Sequence, residues 1–367
     1  MTAHKSLVIR VYFTLALAIL PLFTFAQEHN EEQTSVEEAS EEFNATEMIM
    51  HHIGDSHEWH FFGADESSVT LPLPVILYTD NGLVTFMSSE FHHDATGNTV
   101  VEKDGMRFVN LHEDIYRLNA GAEAVEFDAE HHPVNASKPW DLSITKNVAA
   151  MFLTVILMIL FFSVGLARHH KKNEHAPKGF NNVLETLVLF VRDEIAIPQI
   201  GQKKYMKFMP FLLTVFFFIW ITNLMGLLPG AANVTGNIAV TVSLGLFTML
   251  IMIFNGNKDF YKHTFWMPGI PTWVKPILAI VEGLGLLIKP AALMIRLFAN
   301  ITAGHIIILS LIGLIFILEN AGIAGVSVPF ALFITVLELL VAFLQAFIFT
   351  ILSALFIGMA VEEHEHH

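Results

Sequence analysis

Residue types suited to moving protons stand inside strongly apolar stretches in the second half of this 367-residue chain. Arg296 lies in the run Ala291-Ala-Leu-Met-Ile-Arg-Leu-Phe-Ala-Asn300, with no acidic residue nearby in the sequence. A guanidinium keeps its charge at any relevant pH, and a charge at bilayer depth is costly, so Arg296 indicates a function. The other polar residues of interest in these stretches are Asn223, Glu282, Asn300, His305, Glu338 and Gln345.

Spacing along a helix decides which of these residues can act together. Arg296 lies within about 40° of Glu282 around the helix axis and about 21 Å from it along that axis. Asn300 shares that face, whereas His305 lies about 180° round from Arg296 and about 13 Å farther along. For Asn300 and for Asn223, satisfied interhelical hydrogen bonds are the simpler alternative role.

The last apolar segment supplies partners for that helix. Glu338 and Gln345 are seven residues apart, so a helix places them on one face. The simplest arrangement puts Gln345 beside Arg296 and Glu338 beside His305. An imidazole and a carboxylate in contact at membrane depth are suited to relaying a proton.

This arrangement predicts two half-paths for protons. The outer half-path reaches middle depth through Asn223, His305 and Glu338, and the inner one leads to the cytoplasm past Glu282. A permanent cation, Arg296, stands between the two. Protons therefore cannot pass straight through, and a moving carboxylate from elsewhere is needed to carry them across.

The residues described so far need membrane-spanning helices to position them. After residue 140 the chain contains five strongly apolar segments, at 142–167, 206–228, 236–254, 276–318 and 327–361. Residues 178–198 instead interleave apolar and charged side chains, which predicts an amphipathic helix on the membrane surface that Pro198 and Gly201 stop. The sequence thus predicts an all-α polytopic membrane protein with about five transmembrane helices and one amphipathic surface helix.

The last two segments are too long for an upright span. As helices they would measure roughly 64 Å and 52 Å, against a hydrocarbon core about 30 Å thick. We therefore expect them to be steeply inclined or broken, with a kink at Pro290. A long inclined pair suggests a surface shaped against another body in the membrane.

Loop charges orient the spans. Residues 168–207 contain eight Lys and Arg and residues 255–275 contain three, whereas 229–235 and 319–326 contain none. Positively charged loops stay in the cytoplasm. This predicts a cytoplasmic C-terminus and an external, periplasmic location for the residues before the first span.

Composition separates a polar part from an apolar part. The chain is 53% hydrophobic and 15% charged, has no cysteine and carries a net charge of −15. Residues 27–140 hold 23 acidic and 4 basic residues, whereas 141–367 are nearly neutral. This acidity excludes a basic nucleic-acid-binding protein. The lack of cysteine excludes disulfides and thiolate sites.

The N-terminus predicts export. Residues 1–26 resemble a signal peptide, with Lys5 and Arg10 before the apolar run Val11 to Phe25 and Ala26 before the expected cut. A retained first transmembrane helix is the alternative, but the run is short and contains Pro21. Residues 27–47 are acidic and poor in apolar residues, which predicts disorder.

The rest of the exported segment predicts a small β-rich fold. Two apolar runs, 71–78 and 82–87, flank Thr79-Asp-Asn81 and predict a β-hairpin, and 107–110 predict a further strand. The segment 27–140 is rich in histidine, with ten in all. One group has the residue types of a metal site, although its spacing matches no known zinc motif: His52, Asp55, His57, Glu58 and His60. The alternative is a polar acidic surface with scattered histidines.

Residues 141–367 resemble subunit a of the rotary F-type ATP synthase. The most specific stretch runs from Glu282 to Gly304. The matching motifs are Thr222-Asn-Leu-Met-Gly-Leu-Leu-Pro229, Lys289-Pro290, Arg296-Leu-Phe-Ala-Asn300 and Leu344-Gln-Ala-Phe-Ile-Phe349.

This chain also departs from the family pattern. It has Ala299 where members often have glycine, and Ala292 where they often have serine, which removes a hydroxyl from the inner path. His305 and Glu338 stand in the reverse order to that of many bacterial members and in the order of mitochondrial ones. The segment 27–140 is an extension beyond the family core.

The resemblance implies a role and partners. In that family the arginine corresponding to Arg296 faces the essential carboxylate of the rotating c-ring, and the long helix pair cups the ring. The chain would then be a non-catalytic, proton-translocating stator subunit in a bacterial inner membrane, with no cofactor. Its partners would be the c-ring proteolipid, the peripheral-stalk b subunits, the rest of the complex and the lipid bilayer, with no nucleic acid.

Two further functions stay open from the residues. A secondary cation or zinc transporter with a His-rich external metal-binding segment would need ligands paired within the bundle and an internal repeat, and the sequence has neither. Residues 27–140 could also be an independent exported binding module tethered to the membrane, which is compatible with the hypothesis of two proton half-paths.

Overall fold

Apolar runs too long for strands form the helices of the second half, and shorter alternating runs form the strands before them. The computed structural model describes residues 54–62, 69–128, 133–169, 179–228, 230, 232–267, 269–318 and 321–362, all within one unit, 44–367. The predicted signal peptide, the predicted disorder of 27–47 and five of the histidines lie outside the described residues: His29, His51, His52, His131 and His132.

The described helices confirm an all-α polytopic membrane part. They are α1 (Lys146–His169), α2 (Phe180–Phe190), α3 (Ile197–Ile200), α4 (Tyr205–Gly226), α5 (Ile238–Phe254), α6 (Lys258–Phe265), α7 (Lys275–Ile317) and α8 (Ala321–Val361). In the described residues, α1, α4, α7 and α8 are long and apolar enough to cross a membrane. α5 and α6 are bent by 106° at the break between them, and they add a fifth span if the pair is counted as one.

The predicted amphipathic helix forms, but it does not stop at Pro198. A π-helical segment, Val191–Ala196, joins α2 to α3, which contains Pro198. Proline has no N–H for a regular helical hydrogen bond. The wider π turn precedes Pro198, and in it the Ile197 N–H donates to the Arg192 carbonyl. Gly201, at φ +90°, ends the helix.

The last two helices are confirmed as overlong: α7 has the predicted length, and α8 is longer than predicted. α7 has 43 residues and α8 has 41. Each is therefore roughly twice as long as the hydrocarbon core is thick. α8 begins at Ala321. The apolar pattern predicted a start at 327, because Gly322 and Gly325 lower the hydropathy of the first turns. α5 packs on α7 at its proline: a Cβ on Gly245 would lie 3.3 Å from the Pro290 carbonyl oxygen.

The extension is β-rich, as the sequence predicts. Its strands are β1 (Glu58–Phe62), β2 (Val69–Pro72), β3 (Pro74–Thr79), β4 (Gly82–Met87), β5 (Val101–Lys103), β6 (Met106–Leu111), β7 (Asp114–Leu118), β8 (Ala136–Ser137) and β9 (Trp140–Asp141). Short 3-10 helices lie at Ser88–Phe91 and Val234–Gly236. The predicted hairpin is confirmed: β3 pairs antiparallel with β4 across Asp80-Asn81, and Gly82 has φ +116°.

Three small sheets make up the extension. β1 pairs with β2, a three-stranded sheet has the order β4-β3-β9, and a four-stranded sheet has the order β5-β6-β7-β8. The two larger sheets share an apolar core of Val75, Leu77, Val84, Phe86, Phe91, Val101, Met106, Phe108 and Ile115. Alternate residues of β3 face this core, which explains why Leu77 is buried and Tyr78 is exposed.

Candidate proton path in the helical bundle

Arg296 lies on the outward face of α7. Its neighbour Leu297 is fully buried against the bundle, whereas Ile295 on the other side is 65% exposed. Arg296 is itself exposed. Within the described part of the chain it has neither a hydrogen bond nor an ion pair. The guanidinium is therefore available to an acidic group from another chain.

An exposed apolar surface on α7 and α8 includes Ile295, the neighbour of Arg296. On α7 its exposed members are Val281, Leu284, Ile288 and Ile295, and on α8 they are Phe333, Leu337, Leu340 and Leu344. Their spacing of three, four or seven residues places each set on one stripe of its helix. We call this surface the outer stripe. An exposed apolar surface of this kind is typical of contact with lipid or with another membrane protein.

Asn300 and Gln345 join α7 to α8 close to Arg296. The Asn300 side-chain Nδ2 donates a hydrogen bond to Gln345 Oε1 at 3.0 Å. Gln345 is only 2% exposed. The hydrogen bond of Gln345 thus goes to Asn300, one helical turn from Arg296, and not to Arg296 itself.

Glu338 of α8 fits against a glycine of α7. A Cβ on Gly304 would overlap Glu338 Oε1 and would lie 2.7 Å from its Cδ. Glu338 is 9% exposed. Its Oε2 has no hydrogen-bond partner among the described residues. A buried carboxylate oxygen without a partner is costly, which favours a function for Glu338. Because Gly304 directly precedes His305, Glu338 and His305 lie at similar depth.

His305 and Asn223 both lie where α4 approaches the long helices. His305 Nε2 would lie 3.7 Å from a Cβ on Gly226 of α4. Asn223, about one turn earlier, accepts a hydrogen bond from the Thr235 hydroxyl at 2.7 Å and donates to the Ala342 carbonyl at 3.5 Å. The amide is therefore held by α8 and by the connection between α4 and α5. Sequence reasoning missed Thr235, because a single threonine in a short loop carries no pattern.

Glu282 lies apart from these residues, about 35 Å from His305 along α7. It lines a cavity of about 250 Å³. The other charged or titratable residues of its lining are Asp259, His263, Lys289 and Glu362. Of these residues, sequence reasoning assigned a proton-path role only to Glu282 and named Lys289 as part of a family motif. The bend between α5 and α6 brings Asp259 and His263 to α7. Spacing along the chain does not reveal that contact.

The hypothetical metal ligands of the extension serve other contacts. Asp55 Oδ1 accepts from the Asn147 backbone N–H at 3.0 Å, and Oδ2 accepts from the Thr145 hydroxyl at 2.9 Å. These bonds cap the N-terminus of α1 and tie the extension to the first membrane helix. In the residues that the structure describes, no group of three or more His, Asp or Glu is placed to hold a metal ion.

His57 and Glu58 also bind separate partners. His57 Nε2 lies 2.8 Å from Asp141 Oδ2, and Glu58 Oε2 lies 2.5 Å from His93 Nδ1. Burial opposes ionisation of Asp141, but hydrogen bonds from His57 and Ser143 outweigh it and lower the pKa of Asp141 from 3.8 to about 2. The stabilisation from this carboxylate is therefore present above pH 3.8 and is lost as the pH falls toward 2.

Comparisons with known proteins cover both parts of the chain. The ATP synthase A chain family matches residues 148–358. Residues 48–142 match a domain of unknown function, DUF8433. The second match begins shortly before the described strands and ends just before α1, so it coincides with the β-rich extension.

Curated relatives align with 62–81% of this chain. ATP synthase subunit a of Chloroherpeton thalassium is 48% identical over 252 residues, which cover 66% of this chain and 75% of the relative. The protein of the same name from Myxococcus xanthus is 48% identical over 234 residues, covering 62% and 76%. ATP synthase subunit a 2 of Prosthecochloris aestuarii is 42% identical over 314 residues, covering 81% and 93%.

Proposed function

This chain belongs to the ATP synthase A chain family, and from that premise we propose that it conducts protons through two half-paths separated by Arg296. Its role lies in proton transport by the membrane sector of the F-type ATP synthase. In the proposal, Asn223, His305 and Glu338 form the outer half-path, and Glu282 belongs to the inner one. The carboxylate of a rotating c-ring carries each proton from one half-path to the other.

The position of Arg296 carries this proposal. A permanent charge exposed to lipid at the middle of a bilayer costs about 3 kcal/mol. Because Arg296 is exposed beside the outer stripe, we expect a partner chain to cover it with an acidic group. The bond between Asn300 and Gln345 supports the role by fixing the spacing of α7 and α8 one turn away.

The proposed partners and chemistry follow from the same proton-path proposal. The outer stripe faces the c-ring proteolipid, and the peripheral-stalk b subunits hold the chain against the rest of the complex. The chain transfers protons between side chains and water without catalysing a bond change in a substrate, and it needs no cofactor. No specific observation favours the secondary cation or zinc transporter.

Copurification tests this function. A tagged chain extracted in mild detergent is expected to bring down a small two-helix proteolipid and the ATPase head. Ile295→Asp, in the outer stripe, is expected to lose the proteolipid. The matched control Leu83→Asp, at a 59% exposed site of the extension, is expected to keep it. Recovery of the chain without proteolipid or head would contradict the proposal.

The proposed domain organisation places the two ends of the chain on opposite sides of a bacterial inner membrane. Residues 1–26 are a signal peptide cut after Ala26, residues 27–140 are a periplasmic extension, and residues 141–367 are the membrane domain with a cytoplasmic C-terminus. Positively charged loops support this orientation.

Proteolysis of spheroplasts tests the orientation. We expect protease added outside to remove the extension and to leave a C-terminal epitope intact. Permeabilised spheroplasts, in which both ends are accessible, provide the control. Loss of the C-terminal epitope in sealed spheroplasts would show that the orientation is wrong.

A further inference from the structure

The extension rests on the connection between α4 and α5. Trp59 of β1 is 6% exposed, and its indole Nε1 donates a hydrogen bond to the Gly230 carbonyl at 2.8 Å. Gly230 has φ +72°, and a Cβ there would lie 2.5 Å from the carbonyl oxygen of Phe61 and 2.8 Å from its Cα. The backbones of β1 and of this connection therefore touch at a point where only glycine fits.

An apolar cluster extends this contact. Its members come from the extension, from α1 and from the α4–α5 connection: Trp59, Leu73, Ala150, Ala232 and Val234. None of the five is more than 6% exposed. Because Asp55 also caps α1, the extension is fixed to the helical part at a second point. The joint is thus a packed interface rather than a flexible tether.

The connection leads directly to the polar residues of the bundle. Thr235, which follows Val234, is 1% exposed and donates its hydroxyl hydrogen to Asn223 Oδ1 at 2.7 Å. The Asn233 side chain accepts from the Gly236 N–H at 3.0 Å and holds the turn that presents Thr235. Packed and hydrogen-bonded groups therefore run without a break from Trp59 to Asn223.

We infer that the extension clamps the α4–α5 connection through Trp59 and thereby positions Thr235 and Asn223 for proton transfer in the outer half-path. Trp59 is a positioning residue, since it acts through the loop and lies outside the path itself. The inference rests on the function proposed above for Asn223. It assigns a role to an extension that matches a domain of unknown function.

Thiol labelling measures the clamp independently of proton transport. The chain has no cysteine, so a single introduced thiol reports one site. Ala232→Cys, at a position 1% exposed, is expected to resist a membrane-impermeant maleimide in the assembled complex and to react after Trp59→Ala is added. Leu228→Cys, at a 62% exposed position of the same connection, is expected to react in both backgrounds.

Proton conductance of vesicles stripped of the ATPase head measures the consequence. Displacing reacting groups by about 1 Å can cost up to about a hundredfold in rate, and we expect Trp59→Ala to lower conductance about tenfold. Trp59→Phe keeps a ring but lacks the N–H, so an intermediate conductance is expected. Trp140→Ala, at a 77% exposed tryptophan of the extension, is expected to conduct normally. Conductance is normalised to copurified proteolipid.

A double-mutant cycle separates positioning from general stability. Thr235→Val removes the hydroxyl that Trp59 is inferred to position. Adding Trp59→Ala to it should therefore lower conductance no further, because coupled residues give non-additive effects. Fully additive losses would overturn the inference. Normal conductance in Trp59→Ala, although Ala232→Cys has become reactive, would also overturn it. So would an Ala232→Cys thiol that stays unreactive when Trp59→Ala is added.

Failure of the proposed path has a different signature. If Asn223→Ala and Thr235→Val both conduct normally, the proposed outer half-path is wrong, and the inferred role of Trp59 is wrong as well. If both conduct poorly while Trp59→Ala and Trp59→Phe conduct normally, only the clamp is wrong. Should Trp59→Ala fail to assemble, Trp59→Phe carries both the labelling and the conductance tests.

Discussion

Replacing Arg296 by Ala, Gln or Lys is expected to abolish proton-driven ATP synthesis without preventing assembly. Arg296 is exposed on α7, so its loss removes little packing within the chain. The permanent charge that separates the half-paths is lost in the Ala and Gln variants. Lysine fails for another reason, since a shorter ammonium group can lose its proton when it is desolvated.

ATP synthesis by energised membrane vesicles, normalised to copurified proteolipid, measures this effect. Removing a preorganised electrostatic group costs about a hundredfold or more, and we expect a loss of at least that size. The neighbouring Ile295→Ala, which changes the outer stripe but no charge, is the matched control and should retain most activity. Near-normal synthesis by Arg296→Lys would rule out the charge-barrier role.

The exchanged pair His305→Glu with Glu338→His is expected to conduct protons better than either single exchange. A carboxylate and an imidazole support each other's ionised forms, so each single exchange places two like groups together and leaves the relay without a partner. General acid–base groups contribute about a hundredfold or more, which sets the expected loss in His305→Ala and in Glu338→Ala. The relay needs the pair rather than its order.

Conductance of vesicles stripped of the ATPase head compares both single exchanges with the double. Glu338→Gln is the shape control, because it preserves the packing on Gly304 and removes only the ionisation. It should conduct as poorly as Glu338→Ala. If the losses of the two single exchanges simply add in the double, the residues do not act as a pair, and the relay has to be abandoned.

Periodicity made the framework of this protein predictable. The hairpin around Asp80-Asn81 followed from two alternating runs with turn residues between them, which is local information. The spans followed from the apolar runs, because a segment inside a bilayer has little alternative to a helix. Errors fell where local signals conflict. Gly322 and Gly325 made the predicted start of α8 too late, and a π turn carries the helix past Pro198.

Contacts between distant segments were beyond the sequence. Thr235 reaches Asn223 across a loop, and Trp59 reaches Gly230 across 171 residues. A lone threonine or tryptophan has no period and no motif, so only the fold reveals its partner. The grouping of Asp55, His57 and Glu58 misled in the opposite direction. Neighbours in sequence suggested one metal site, yet their side chains diverge to cap α1 and to bind Asp141 and His93.

Cysteine cross-linking to the c-ring proteolipid tests the central claim most directly, because this chain has no cysteine of its own. Ile295→Cys, beside Arg296 and on the outer stripe, is paired with a cysteine next to the proteolipid's membrane carboxylate. Leu293→Cys, at a position 2% exposed on the bundle side of α7, is the matched control. We expect a cross-link from Ile295→Cys and none from Leu293→Cys. No cross-link from Ile295→Cys, or equal cross-linking from both positions, would contradict the claim that Arg296 faces the ring.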